Sequence, residues 1–460
     1  MRIPIPALTV SAVAMALAWP AQAAGDADLA HDLVQIRAQL KEMKEAYESR
    51  IAALEQRLAQ AETTAGKAEQ GASQAQVAAQ QAGQRQSNAG AFNPETSLIL
   101  SGMYTNLSQD PGLRRLQGFI PANGEKLPAG RSFNLGESEL GFAANVDHLF
   151  RGDFRLSLAP DNTVGVEEAS IRTLGLGQGL NLKAGRFLSG IGHLNEQHAH
   201  EWDFSDAPLP YQAFLGTQLG MDGVQARWLA PTDTFLELGA EAARARSFPA
   251  TDVARNKNGF MSGALFAHVG GDVGVSNSWK AGLSYFAAQP RDRDYEDSGV
   301  TNSFSGNSRT WIADFLWKWA PNGNAKYQNL KVQGEYFRRS EDGTLVHDLT
   351  SPQAGSYDAR QSGLYAQAVY QFLPQWRAGY RYDRLDSGTV TLGPTLTGFG
   401  FPLLEKSTPR RNTLMLDWNP SEFSRIRLQF ARDQTRPEAT DNQLWLHYIM
   451  SLGAHGAHKF

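Results

Sequence analysis

Apolar and polar residues follow two different patterns along this chain, and the longer one is a strict alternation. From residue 97 onward, sixteen segments alternate apolar and polar positions. In the clearest segment, Trp311 to Trp319, every second residue is apolar, and Asp314 and Lys318 lie between the apolar positions. Such alternation places each class of residue on its own side of a sheet. The pattern therefore predicts an all-β fold over residues 97–460.

Charged residues on the polar faces distinguish a barrel from a soluble sandwich. Burying so many ions in a dry core would cost roughly several kcal/mol each unless every one were paired. A water-filled lumen removes that cost, and aromatic residues near the ends of the apolar faces resemble a membrane-interface girdle. The acidic residues expected to face the lumen are Glu139, Glu168, Glu237, Glu241, Asp314, Glu335, Asp383 and Asp417. The basic candidates for lining a pore are Arg155, Arg172, Lys183, Arg227, Lys280, Lys318, Lys331, Arg377, Arg381, Arg425 and Arg427.

The lengths of the connections support the same conclusion. Links after even-numbered segments are short, whereas those after odd-numbered segments are mostly long, with 160–163 as an exception. Sorted loop lengths are typical of outer-membrane barrels, which have short turns on one rim and long loops on the other. We expect a sixteen-stranded antiparallel transmembrane β-barrel. The expected long loops are 107–133, 188–221, 243–259, 287–308, 338–362 and 384–411.

Residues 28–62 carry the second pattern, a heptad repeat with one stutter. The narrow apolar stripe predicts a self-associating α-helical coiled coil over 24–62, with a trimer as the expected order; a helix lying on the barrel or on peptidoglycan is the alternative. Residues 63–96, rich in Ala, Gln and Gly, are interpreted as a linker. The seam consists of Leu29, Leu33, Ile36, Leu40, Met43, Tyr47, Ile51, Leu54 and Leu58.

The two ends of the chain suggest where the protein is located. Residues 1–23 resemble a secretory signal peptide with cleavage before Ala24, and an uncleaved anchor is the alternative. A C-terminal Phe460 is typical of barrels that are recognised by the outer-membrane assembly machinery. The predicted location is therefore the outer membrane, in contact with its lipid, with the N-terminal helix in the periplasm.

Composition excludes a few classes of protein. There is no cysteine, which excludes a lipoprotein anchor and a disulfide framework. A net charge of only −4 argues against a nucleic-acid partner.

The layout of the chain resembles the phosphate-selective porin O and P family. Residues 168–172 followed by 182–187 are similar to that family's strand pair before a long loop, and residues 379–386 are similar to its late-strand pattern. The resemblance implies a sixteen-stranded porin and suggests anions such as phosphate as solutes. A regular arginine ladder or a lysine cluster that could be carried over is missing, so phosphate specificity does not follow.

One predicted loop, residues 188–215, concentrates imidazoles and carboxylates. Such groups suit zinc or a related divalent metal, and glycines at its start allow the loop to fold into the pore. A polar constriction loop without metal is the alternative. A second group, His447, His455 and His458, is either a metal site or an incidental tail. The candidate ligands in the loop are His193, Glu196, His198, His200, Glu201 and Asp203.

Taken together, these features predict a porin that allows passive diffusion of small hydrophilic solutes or ions, with no resident cofactor apart from the candidate metal. Two alternatives remain open. A barrel enzyme needs an activated nucleophile, and Ser189 near His193 lacks the surrounding pattern. A structural barrel that tethers the envelope through its coiled coil is the other.

Overall fold

The computed structural model describes residues 94–121, 130–159, 161–244, 248–252 and 256–453, together with single positions between 38 and 52. The chain divides into two compact units, Met1–Phe92 and Asn93–Phe460. In the first unit, the described residues from Ala38 to Ala52 are helical. The signal peptide, residues 63–93 of the predicted linker, Phe460 and every seam residue except Ile51 lie outside the described residues, whereas residues 95 and 96 of that linker belong to the first strand. Among the described residues, no helix is both long and apolar enough to cross a membrane.

In the second unit, sixteen antiparallel strands form a closed barrel, which confirms the predicted strand number. The first and last strands pair with each other, Ser97 opposite Gly453, so the sheet has no free edge. Two further short strands, β2 and β11, belong to connections and pair with β1 and β12. The strands are β1 (Glu95–Leu107), β2 (Ser132–Leu135), β3 (Ser138–Asn145), β4 (Phe150–Leu158), β5 (Val164–Thr173), β6 (Leu180–Leu188), β7 (Gly220–Leu229), β8 (Phe235–Arg244), β9 (Ser262–Val273), β10 (Asn277–Ala288), β11 (Arg293–Asp297), β12 (Val300–Trp319), β13 (Asn329–His347), β14 (Gln353–Leu373), β15 (Trp376–Leu392), β16 (Arg410–Ser421), β17 (Ser424–Gln434) and β18 (Asp441–Gly453).

The two faces of the sheet differ as the alternation predicts. On β12, Trp311 and Phe315 are 50% and 48% exposed on the outside, whereas Ile312 and Asp314 are 0% and 5% exposed on the inside. Leu428 and Phe430 on β17 likewise face outward. Along these parts of β12 and β17 the outer surface is therefore apolar, and Asp314 faces the interior.

Strand lengths differ greatly around the barrel. Strands β3 to β8 have 8 to 10 residues each. Strands β12 to β15 have 17 to 21. One side of the barrel therefore extends further than the other on the rim that carries the long connections.

Three of the long loops expected from the sequence are wrong in their bounds. Much of 287–308, 338–362 and 384–411 is strand, and only 348–352 separates β13 from β14. The reason lies on the outer face, where exposed Arg338, Arg360 and Arg384 lie between the outward apolar residues of their strands and the rim with the long connections. Beyond them the outer face is polar, and the inner face mixes the charged Arg339 and Glu341 with buried apolar residues such as Leu345 and Tyr357. Regular alternation therefore disappears, although the hydrogen-bonded pairing of the strands continues.

Candidate functional site

The connection between β6 and β7, residues 189–219, folds into the barrel; we call it the inner loop. It contains a single 3₁₀ turn, Ala199–Glu201, and one short helix, α1 (Leu209–Leu215), whose residues are all buried. Helix α1 ends at Gly216, whose φ of 62° is the left-handed conformation that glycine adopts without strain. The sequence-based expectation that this loop enters the lumen agrees with its position.

Carboxylates of the barrel wall hold the backbone of the inner loop. Glu241 on β8 accepts hydrogen bonds from the Ser189 hydroxyl and from the Gly190 N–H, at 2.5 and 2.8 Å. Glu335 on β13 accepts from the Leu194 N–H at 3.1 Å and from the Tyr211 hydroxyl at 2.9 Å. Three of the acidic residues expected to line water, Glu241, Glu335 and Asp383, therefore bind the loop instead, Asp383 by accepting from the N–H of Leu209.

Apolar contacts fix helix α1 to the same wall. Phe214 stacks on Phe337 with ring centroids 5.8 Å apart and meets Phe119, from the connection after β1, edge to face at 5.7 Å. The guanidinium of Arg339 lies 4.9 Å from the centre of the Phe214 ring. A packed cluster of loop and wall residues thus fills part of the barrel interior.

Basic residues of strands β13 to β17 are paired with acids, two of which, Asp203 and Asp206, lie on the inner loop. Asp203 contacts Lys331 at 2.5 Å and Arg377 at 3.3 Å. Asp206 pairs with Arg411 and, at 3.2 Å, with Arg381. Burial raises the pKa of Asp203, but the neighbouring Lys331 and Arg377 more than offset this and hold it at about 2. Arg381 also pairs with Asp383 on its own strand. Asp417 pairs with three arginines, Arg377, Arg425 and Arg427.

All eleven basic candidates point into the barrel. The guanidinium groups of Arg425 and Arg427 donate to backbone carbonyls of the inner loop. Lys318 faces Lys331 across the β12–β13 pair, and Lys280 faces the buried Leu316. Arg155 contacts Glu139, Arg172 contacts Asp153, and Arg227 contacts Glu196 of the loop. Lys183 lines an internal cavity.

The six candidate metal ligands of the loop do not converge on one point. Glu196 pairs with Arg227, and Asp203 pairs with the basic wall. The His193 ring is hydrogen-bonded to the side chain of Gln197. Burial, and to a smaller extent the charges of three lysines, lower the pKa of His193 well below 6.5. His198 and His200 do lie together, with stacked rings 5.7 Å apart. Glu201 lines the adjacent cavity.

His198 instead meets glutamates of the barrel wall. Its Nδ1 lies 3.3 Å from Glu139 and 3.2 Å from Glu167, and its Nε2 lies 3.2 Å from Glu168. Burial lowers the pKa of His198, but the bonds to Glu167 and Glu168 outweigh it, so that this pKa stands well above 6.5.

Sequence reasoning missed Glu167, Asp206 and Arg411. Glu167 follows an apolar position of β5 and precedes an inward residue, so alternation assigns it to the outside. Its inward orientation comes from a β-bulge, since Arg155 pairs with Glu168 and Leu156 with Val166. Arg411 lies at the end of a segment expected to be loop, and nothing in the sequence links Asp206 to it.

Two cavities lie within the barrel beside the inner loop. One, of about 620 Å³, is lined by charged residues that include Arg155, Glu168, His198 and Glu201. The other, of about 640 Å³, includes His200 and residues of the short 374–375 and 422–423 turns. Both are large enough to hold several water molecules.

These features define a closed antiparallel β-barrel with an apolar exterior, a charged interior and a loop folded into its lumen. No protein-family model matches the sequence. An uncharacterised protein of Aquifex aeolicus (strain VF5) is 32% identical over 404 residues, which cover 80% of each chain. The present chain belongs to the same family as that protein.

Several solved barrels are similar in structure at low sequence identity. OmpT of Vibrio cholerae with its loop L8 deleted matches 78% of this chain and 99% of its own, with 10% identity and a TM-score of 0.49. The outer-membrane channel DcaP of Acinetobacter baumannii is 10% identical with a TM-score of 0.46, and the match covers 78% of this chain and 97% of DcaP. An anion-selective porin from Comamonas acidovorans is 11% identical with a TM-score of 0.45, and the match covers 78% of this chain and 99% of that porin. Likeness of this degree carries nothing about solutes.

Proposed function

We propose that this protein is an outer-membrane porin that allows passive diffusion of small hydrophilic solutes and ions. The observation that carries the proposal is the division of the barrel into an apolar outer face and a charged inner face. Exposed Trp311, Phe315 and Leu428 suit lipid, whereas water-filled space suits the interior charges. A soluble protein would expose a large apolar belt to water at considerable cost.

Strand lengths fit a bilayer. A transmembrane strand needs about 9–11 residues when it is tilted. Strands β3 to β8, with 8 to 10 residues, match that thickness. The extra residues of β12 to β15 have a polar outer face and would stand outside the lipid.

The inner loop is proposed to narrow the passage and to reduce its ionic preference. Asp203 and Asp206 each neutralise two basic side chains of strands β13, β15 and β16. Because these cations are paired, we propose mixed ion conduction without a strong preference for anions. The family resemblance suggests phosphate as a solute, and the same pairing of cations argues against strong selectivity for it.

The experiment is conductance of the purified full chain in planar bilayers, after heat-modifiable gel migration has shown a folded barrel. A porin gives stepwise currents whose size rises with salt concentration. A folded barrel that shows no conductance at any salt concentration or voltage would contradict the proposal and favour a structural barrel.

A matched pair of variants tests the role of the inner loop. Replacing residues 196–207 by a shorter Gly-Ser linker removes the anchors to Lys331, Arg377 and Arg411, and the single-channel conductance should rise severalfold. Replacing the exposed turn 231–234 by Gly and Ser is the control, because that turn lies outside the lumen. Equal conductance in the two variants would show that the loop does not limit flow.

Assembly and orientation form the outermost part of the proposal. Short connections, such as 374–375, would face the periplasm together with the N-terminal helical unit. A homo-oligomer is proposed, with the seam around Ile51, which is 54% exposed, as its contact.

A further inference from the structure

We propose that His198 of the inner loop, with Glu139 of β3 and Glu167 of β5, forms a binding site for a divalent transition metal such as Zn²⁺. One donor atom from each residue, the His198 Nδ1 and a carboxylate oxygen of each glutamate, lies within 4.8 Å of the others. The inference goes beyond conduction, because metal binding does not require that the barrel be a pore.

The distances match those between ligands of one ion. Nitrogen and oxygen ligands about 2.0–2.2 Å from zinc are separated by about 3.3 Å in a tetrahedral arrangement. His198 Nδ1 lies 3.3 Å from Glu139 Oε2 and 3.2 Å from Glu167 Oε2. A single N–H on Nδ1 can direct a straight hydrogen bond at only one of these two oxygens. A metal bonded to Nδ1 would satisfy both.

The wall is shaped to bring its carboxylates to this point. The β-bulge in β5 turns both Glu167 and Glu168 toward the interior, although successive strand residues ordinarily face opposite sides. Bulges of this kind re-aim side chains and occur frequently next to functional sites. Glu139 is 5% exposed and reaches the same imidazole from the neighbouring part of the wall.

Two further side chains, Arg155 and Glu168, orient the ligands. Arg155 donates to Glu139 Oε1 at 2.5 Å, which leaves Glu139 Oε2 directed at His198. Glu168 lies 3.2 Å from His198 Nε2 and thereby fixes the ring while Nδ1 faces the other two glutamates. A carboxylate on the remote nitrogen of a ligating imidazole is a common feature of zinc sites.

Charge and access also suit a divalent cation. Three carboxylates and the Arg155 guanidinium leave two negative charges around one imidazole. His200 Nδ1, 3.5 Å from Glu139 Oε2, is a candidate fourth ligand. The cavity of about 620 Å³ beside His198 offers an entry path. An imidazole with carboxylates favours zinc, cobalt or nickel over calcium and magnesium, which prefer oxygen alone.

The site would join the inner loop to the wall. His198 belongs to the loop and both glutamates to strands, so a bound ion would add a link between them. Occupancy should therefore hold this part of the loop more firmly against β3 and β5.

Calorimetric titration of the full-length, chelator-treated protein with Zn²⁺ tests the assignment. His455 and His458 are replaced by Ala in every sample so that the C-terminal histidines cannot bind the metal. We expect one site, with affinity at least tenfold weaker in Glu167→Gln and in His198→Gln. His193→Gln is the matched control, since His193 lies in the same loop but takes no part in the cluster of Glu139, Glu167 and Glu168, and this variant should bind zinc as the parent does.

Cobalt provides a readout of the ligands themselves. Co²⁺ in the parent should show the visible absorption of a tetrahedral site, and Glu167→Gln should lose it while heat-modifiable migration shows an intact barrel. Unchanged zinc affinity in both Glu167→Gln and His198→Gln would overturn the proposal, and so would absence of zinc binding in the parent. In either case His198 serves only as a protonated partner of the glutamates.

Discussion

At the scale of single residues, the ionic character of the lumen depends on which charges the inner loop covers. The sequence offers eleven basic and eight acidic residues at inward positions, a margin so small that it predicts only a mixed ionic preference. The structure changes this balance, because Asp203 and Asp206 come from the loop rather than from the wall. Wall acids such as Glu335 are meanwhile occupied by the loop backbone.

Neutralising the two loop aspartates should make the channel anion-selective. In the double variant Asp203→Asn and Asp206→Asn, Lys331, Arg377 and Arg411 lose their loop partners, and the chloride-to-potassium permeability ratio should rise severalfold. The reversal potential in a salt gradient measures it. The control changes the same number of charges at exposed turns, Asp161→Asn and Asp233→Asn, and should leave the ratio as it is. An unshifted reversal potential in the loop variant would contradict this account.

The docking of the loop should be lost at acidic pH. Since the pKa of Asp203 is about 2 when docked and about 3.9 in an unfolded chain, its stabilisation is complete above about pH 4 and disappears as pH falls toward 2. The chain has no cysteine, so Glu201→Cys gives a unique position for a nitroxide label. The label's spectrum should become mobile within that window.

The same label in an Asp203→Asn background isolates the effect of this carboxyl. Without it, the step between pH 4 and 2 should be absent or much smaller. A step of equal size in both backgrounds would assign the transition to other groups.

At the scale of elements, the extended strands β12 to β15 should be protected where loops were expected. Backbone amides of 340–347 and 353–360 are paired between β13 and β14 and should exchange with deuterium slowly. Residues 348–352, between the strands, should exchange fast. Hydrogen exchange followed by mass spectrometry resolves these peptides. Fast exchange throughout residues 338–362 would contradict the extended strands and support the long loop that the sequence predicted.

Strands in contact with lipid could be predicted from the sequence, and strands beyond it could not. Trp311 and Phe315 reveal β12 because one face meets an apolar medium and the other does not. Past Arg338 and Arg360 the outer face is polar and the inner face mixes charged with apolar residues, so the pairing of the strands leaves no regular period in the sequence. The site follows the same logic: inward basic residues were predictable from alternation, whereas Glu167 depends on a bulge and Asp206 on a loop conformation.

At the scale of the whole molecule, the N-terminal unit is expected to determine the number of associated chains. Deleting residues 24–92 while keeping the signal segment should leave a heat-modifiable barrel, whose cross-linked species shift toward smaller oligomers. Crosslinking of both proteins in detergent measures this. A second test uses the isolated segment 24–62, which should gain helicity with concentration. Identical oligomers with and without residues 24–92 would place the contact on the barrel itself.

The unequal strand lengths have a consequence for what can approach the outer mouth. About ten additional residues per strand raise the β12–β15 side by about 25 Å when the usual tilt is included. A large body such as an antibody would meet this wall before it reached the low rim around 159–163. Binding to the low rim should therefore be confined to approaches from the opposite side, whereas a small solute can enter from any direction.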